Sequence, residues 1–220
     1  MFSEKLPDPL TLPLTDSVDD KIDHLYSYFK DNLMNRNKRN RLFGHFIYLD
    51  CSKWIEDKNE MFWHIISLGE KEKFEDILPC NNCPSFNHCP GINCLEETIT
   101  ISLNNGQKRN VCLYRGIRIN WINRIIELAN QEDESISIWK EKLPRKRQTG
   151  HNQKLYLRFI HAGVDYTIVF EERYKRKRGK RNEIKDYFFI TAFPTFYLRA
   201  KEKFRKAHKS YWEEVGNLTK

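Results

Sequence analysis

KLYLRFIHAGVDYTIVFEERYKRKRGKRNEIKDYFFITAFPTFY, residues 154–197, sets the fold from which the rest of the chain is read. Leu155, Leu157 and Phe159 alternate with Lys154, Tyr156 and Arg158. A period of two places the apolar set on one face of a strand and the polar set on the other. Residues 166–170 are β-branched and aromatic, as strands prefer. The segment His161-Ala162-Gly163 between them holds the glycine of a short hairpin loop. A third run, residues 187–193, is stopped by Pro194. The pattern predicts an antiparallel sheet whose second hairpin carries Lys175, Arg176, Lys177, Arg178, Lys180 and Arg181 at its tip.

The charge supports a polyanionic partner. The chain has 220 residues, enough for one large domain or two small ones, and a net charge of +8. Residues 140–209 hold 21 Lys and Arg against 7 Asp and Glu, a local balance of +14. Residues 1–139 hold 16 against 21 and are acidic. A concentrated basic half suits a nucleic acid. A solvated basic surface, or a basic half covered by an acidic protein, would give the same count. No run reaches the ~20 apolar residues that cross a bilayer. The N-terminus has no apolar segment behind a basic start, so a cytoplasmic protein is expected.

Before the sheet the chain reads as helical. Residues 1–17 contain Pro7, Pro9 and Pro13 and form an extended lead-in. Asp16 or Ser17 caps a helix from Val18, with Ile22, Leu25, Tyr26, Phe29 and Leu33 at helical spacing. Residues 45–49 are a short apolar run suited to a strand. A helix is expected over residues 54–68, ended by Gly69, and another over residues 70–78. Residues 97–103 alternate as a strand, Asn104-Asn105-Gly106 signals a turn, and residues 111–114 form the return strand. Residues 115–129 read as one helix and residues 136–143 as a further helical turn. A basic helix over residues 198–215 closes the chain.

Four cysteines fall within fifteen residues: Cys80, Cys83, Cys89 and Cys94, spaced C-x2-C-x5-C-x4-C. The first pair has the knuckle spacing of a zinc site, and a cytosolic chain rarely crowds disulfides in this way. A structural zinc ion is expected, with His88 able to replace one thiolate; an iron–sulfur cluster or no metal are the competing readings. Cys51 and Cys112 are isolated and read as small buried residues.

No P-loop, dinucleotide fingerprint or paired-histidine metal helix occurs. What remains suits phosphodiester chemistry. Arginine offers phosphate a fixed fork of donors and stabilises the charge that builds on phosphorus. RNA supplies its own nucleophile, the 2′-hydroxyl, so cleavage needs a base, an acid and cations. Lys154 and Arg158 share the polar face of the first strand, and Glu172 ends the second. Ordinary cross-strand ion pairs would account for all three. His45, His64 and His161 read as core or turn residues.

The segment Arg115-Gly-Ile-Arg118-Ile-Asn-Trp121-Ile, followed by Trp139, strands, and Tyr187-Phe-Phe-Ile-Thr191-Ala192-Phe193-Pro194, resembles the barnase–EndoU–colicin–RelE superfamily of RNase toxins, in its phage and polymorphic-toxin branch. The likeness spans residues 110–200. It implies an α+β fold with helices packed on an antiparallel four-stranded sheet, and metal-independent cleavage through the 2′-hydroxyl. It also implies toxin biology with an acidic antitoxin or immunity protein as partner. Arg115 and Arg118 match the helix arginines of that pattern, and Thr191 matches its late-strand hydroxyl. The expected organisation is a helical region with the cysteine loop over residues 1–109 and a nuclease domain over residues 110–220. The catalytic candidates are Arg115, Arg118, Arg158, Glu172 and Thr191. The RNA-contact candidates are Lys154, Arg173, Lys175, Arg176, Lys177 and Arg178. A non-catalytic nucleic-acid-binding protein, or a phage-encoded protein that binds a host factor, is the alternative. The long N-terminal half and the cysteine cluster depart from a single toxin domain.

Overall fold

The computed structural model describes residues 3–13, 16–69, 99–144, 151–175, 183–195 and 198–218. The chain forms two compact units, Met1–Arg39 with Leu49–Arg124, and Asn40–Tyr48 with Ile125–Lys220. The architecture is mixed α and β.

The first unit begins with α1, Val18–Phe29. Ser17 and Asp20 form a reciprocal capping box, which satisfies two backbone N–H groups that the helix start would orphan. Ile22, Leu25, Tyr26 and Phe29 form the buried stripe, and Tyr26, Phe29 and Phe62 interlock their rings. A π-helical turn, Lys30–Met34, ends α1. The lead-in is tied down by side-chain donors: Asn120 donates to the Asp8 carbonyl, Trp121 to that of Pro7 and Arg124 to that of Lys5.

The helix expected over residues 54–68 is instead four elements. A two-stranded hairpin, β2 (Trp54–Ile55) and β3 (Lys58–Asn59), leads into α2 (Glu60–Ile66) and β4 (Ser67–Gly69). Glu56, at φ 52°, turns the chain in a region a helix never enters. β4 joins β5 (Thr100–Ser102) and β6 (Lys108–Val111) in an antiparallel sheet of order β4-β6-β5. The turn at Asn104-Asn105-Gly106 forms as expected, with Gly106 at φ 79°. The return strand ends at Val111, because Leu113 already opens a helical turn. The helix expected over residues 115–129 is two pieces, α3 (Leu113–Gly116) and α4 (Trp121–Asn130). The expected helix over residues 70–78 and the cysteine cluster lie outside the described residues.

The second unit is built on a five-stranded sheet of order β1-β10-β9-β8-β7. Its strands are β1 (Phe46–Tyr48), β7 (Ile136–Pro144), β8 (His151–His161), β9 (Val164–Tyr174) and β10 (Ile184–Pro194). Four run as an antiparallel meander; β1 lies parallel to β10, so the sheet is mixed rather than four-stranded and antiparallel. Residues 136–143 are a strand and not a helical turn. Ile136, Ile138 and Trp139 find full-length partners along β8, from Phe159 to His151, and that ladder overrides any helical propensity. Ala162 and Gly163, at φ 49° and 78°, make the two-residue turn whose twist matches paired strands. One face carries Leu155, Leu157, Phe159, Ile168, Phe170 and Phe189, all fully buried. The opposite face carries Trp139, Tyr156, Arg158, Thr167 and Thr191. α5 (Leu198–Leu218) packs along β7 and sets Phe204 against Trp139 and Tyr156 on that opposite face. Trp212 Nε1 donates to the Ile138 carbonyl at 3.0 Å and fastens the far end of α5.

Candidate functional site

A pocket of about 370 Å³ lies between α5 and the sheet face it covers. Its floor is Ser137 and Trp139 from β7 and Arg158 and Ile160 from β8; its wall is Leu198, Lys201, Glu202, Arg205 and His208 from α5. Lys201, Arg205 and His208 recur at helical spacing, i, i+4 and i+7, so they fall on one side of α5. An amphipathic helix packed on a sheet would ordinarily put apolar residues there. Lys201 and Arg205 bring cationic charge to the wall, with the Glu202 carboxylate beside them.

Arg158 is fixed by its partners. Its Nε and Nη2 donate to the two carboxylate oxygens of Asp165 at 2.9 and 2.6 Å, and Nη1 donates to the Lys201 carbonyl at 3.3 Å. Both side chains of the ion pair are 8% exposed. The planar guanidinium matches the carboxylate fork, which makes such a bidentate pair strong and oriented. Lys201 Nζ stands 4.0 Å from the same carboxylate. Arg205 has no ion-pair partner among the described residues, although Glu202 lines the same wall. His208 meets Trp139 edge-on at 6.1 Å and Trp212 at 6.4 Å. Burial, then the charge of Arg158, lowers its pKa below the usual imidazole range. Its neutral form is therefore the prevailing one at neutral pH, ready to accept a proton.

A second polar cluster occupies the other face of the same sheet. Glu172 is 3% exposed. Lys140 Nζ lies 2.7 Å from its Oε1, and the Tyr174 hydroxyl donates to Oε2 and contacts Gln153 at 2.8 Å. Burial, then the Glu172 contact, raises the Tyr174 phenol far above its ordinary pKa. Tyr187 is raised by burial and by the Glu172 charge. In this network Glu172 Oε1 has no hydrogen-bond partner and is met only by the ion pair with Lys140, whose side chain is 31% exposed.

The expected catalytic residues do not converge. Glu172 pairs across the ladder with Gln153, whereas Arg158 pairs with Thr167, and these positions have opposite parity on β8. Thr191 pairs with Val169, itself opposite Tyr156, so it shares the face of Arg158 and is half-buried. Arg115 and Arg118 belong to the first unit and are buried there. Arg115 Nη1 donates to the Ser67 carbonyl at 2.5 Å. The Arg118 guanidinium lies 3.4 Å from the Tyr114 ring centroid, and its Nη1 donates to the Tyr114 carbonyl at 2.8 Å.

Among the RNA-contact candidates, Lys154 lies on the Arg158 face, half-buried, and Lys175 is exposed. Arg173 ion-pairs with Asp186 and covers the Tyr48 ring. Arg176, Lys177 and Arg178 lie outside the described residues, as do Cys80, Cys83, Cys89 and Cys94. Among the described residues no group of three or more His, Cys, Asp and Glu is placed to hold a metal, and no helix is long and apolar enough to cross a membrane.

Sequence reasoning missed Lys201, Arg205 and His208. Their i, i+4, i+7 spacing around Phe204 was a legible signal, but nothing local said that this stripe of a basic helix faces a sheet. Comparison with protein-family models, with curated proteins and with solved structures found no match.

Proposed function

We propose that the second unit is an endoribonuclease of the 2′-hydroxyl transesterification type, with its site in the α5 pocket. The observation that carries this reading is the meeting of His208, its pKa lowered, with Arg158, Lys201 and Arg205 in one solvent-accessible pocket. Neutral His208 takes the 2′-hydroxyl proton as that oxygen attacks phosphorus; the bond from phosphorus to the 5′-oxygen breaks, and the leaving oxygen takes a proton from solvent at the open pocket. Arg205 and Lys201 bind the scissile phosphate and stabilise the charge that builds on its oxygens. Arg158, locked by Asp165, orients the wall by holding the Lys201 carbonyl, and its charge adds to burial in lowering the His208 pKa. Chemistry of this kind calls on a base, a proton source for the leaving oxygen, cations and the RNA's own hydroxyl. A neutralising acidic protein would fit the same cationic wall.

The test is incubation of the full chain with total cellular RNA in EDTA, with fragment 3′ ends mapped. The expected result is discrete fragments ending in 2′,3′-cyclic phosphate, lost in His208→Ala. Intact RNA with all variants would end the enzymatic reading.

A second reading, non-catalytic nucleic-acid binding, is favoured by the saturation of Arg158 by Asp165. It predicts a gel shift without cleavage, weakening steeply with salt as phosphate contacts release counterions. For the four clustered cysteines we propose a structural zinc ion, on their spacing.

A further inference from the structure

The edge of the five-stranded sheet carries an aromatic surface that neither the pocket nor the core uses. β1 is an edge strand, and its alternation exposes Phe46, 60% accessible, and Tyr48, 38%, while Ile47 is buried. Rings of this size are usually covered, and two on one short strand make a contiguous apolar patch. Tyr48 stacks on Phe188 of the neighbouring strand, with centroids 5.8 Å apart and planes 26° apart.

Arginines are interleaved with these rings. The Arg41 guanidinium lies 3.9 Å from the Phe46 centroid, and that of Arg173 lies 4.2 Å from Tyr48 and 5.6 Å from Phe188. Asp186 holds Arg173 in place, and the Gly44 carbonyl holds Arg41 at 3.1 Å. The cations are therefore prepositioned rather than free to swing away.

The ladder places this patch on the pocket side of the sheet. Tyr48 pairs with Phe188, Phe188 with Glu171, and Glu171 with Lys154. Lys154 and Arg158 have the same parity on β8, so patch and pocket share one face. Three strand spacings of ~4.8 Å and about five residues along the strands separate them, on the order of 20 Å. Tyr156 and Thr191 lie between.

We propose that this edge surface docks single-stranded nucleic acid, its bases stacked on Phe46 and Tyr48 and its phosphates paired with Arg41 and Arg173. An apolar protein segment would have to desolvate the guanidinium N–H groups left over once Arg41 has donated to the Gly44 carbonyl and Arg173 to Asp186, which is costly. A polynucleotide satisfies both features, since each base offers a π-face and each phosphate a charge. A duplex does not, because its bases are already stacked. The positive balance of residues 140–209 supplies the complementary field. For its ligand the proposal rests on reading this unit as an RNA-handling domain; it does not require cleavage.

The experiment uses the full chain and a fluorescent twelve-nucleotide single strand with 2′-O-methyl riboses, which cannot be cleaved through the 2′-oxygen. Binding is followed by anisotropy. Phe46→Leu/Tyr48→Leu keeps apolar side chains on the strand and removes the π-faces. It should weaken binding by roughly tenfold or more, as loss of base–aromatic stacking does. The parent should bind an abasic strand of equal length as weakly as the variant binds the full strand. Duplex affinity should be equal for both proteins. Equal affinity of parent and variant for the full strand, or an abasic strand bound as tightly as the full one, would overturn the docking surface and leave the nuclease reading standing. A variant that loses duplex binding equally would overturn it too, as would a parent that binds no strand. Strand binding that depends on both rings, in a chain that never cleaves RNA, would retain the surface and remove the enzyme.

Discussion

Arg158 and Glu172 stand on opposite faces of one sheet. They are separated by the parity of β8, where Arg158 pairs with Thr167 and Gln153 pairs with Glu172. Two side chains so placed cannot grip one phosphate. The two polar clusters of the second unit must therefore do different work, and substitution can tell them apart.

Glu172 is expected to be structural. Glu172→Gln keeps the shape of the side chain but removes its charge from Lys140 and changes its bond with Tyr174. A cost of about 1–3 kcal/mol in unfolding free energy is expected. RNA-cleavage turnover of the folded variant should stay within a factor of a few of the parent. A loss of a hundredfold or more with unchanged melting would move the active site to this face.

Arg158 and Arg205 should fail in different ways. Arg158→Ala leaves Asp165 as a buried carboxylate without its bidentate partner and is expected to cost about 3–5 kcal/mol. Chemical denaturation should show the loss directly. Arg205→Ala should leave the unfolding midpoint near that of the parent while depressing turnover. Identical stability losses in the two variants would contradict the assignment of Arg205 to substrate.

Cleavage should depend on pH through His208. Its lowered pKa means that the neutral, proton-accepting form is gained as pH rises through a value below 6.5. The rate should climb across that acidic limb and level off before neutrality. His208→Gln should be slow and should lack the limb. A rate that falls as pH rises over the same range would assign the opposite proton role.

The first unit should lose stability on acidification through His64. Burial, then the charges of Arg109 and Arg115, lowers its pKa from 6.5 to about 4. In the unfolded chain the same imidazole titrates near 6.5, so between those values the unfolded state binds more protons. Stability is fully present above pH 6.5 and falls as pH drops through 4, by about 3 kcal/mol in all. His64→Leu, which cannot ionise, should flatten that part of the stability–pH profile. An unchanged profile would mean that another group carries the acid sensitivity.

Metal content tests the cysteine cluster independently. Elemental analysis of the purified chain should give one zinc per molecule, lost on Cys80→Ser/Cys83→Ser. Iron in place of zinc would show in the visible spectrum as sulfide-to-iron bands. Metal-free protein with four reactive thiols would remove the site.

The sequence alone determined the long strands and the capped first helix. Leu155, Leu157 and Phe159 alternate strictly, and Ser17 with Asp20 signals a helix start within three residues, so each is fixed by neighbours in the chain. Tertiary structure decided the rest. Residues 136–144 became a strand because β8 offered a full-length partner. Residues 46–48 became its fifth strand through pairing with residues 186–188, about 140 positions away. The same long-range packing decided the candidate site. Arg158 was visible as a polar-face residue, but its capture by Asp165 required the hairpin to close. Lys201, Arg205 and His208 became a pocket wall only when α5 laid that side against β7 and β8. Local periodicity tells which residues share a face; which faces meet depends on contacts between distant segments, and no window of the sequence contains them.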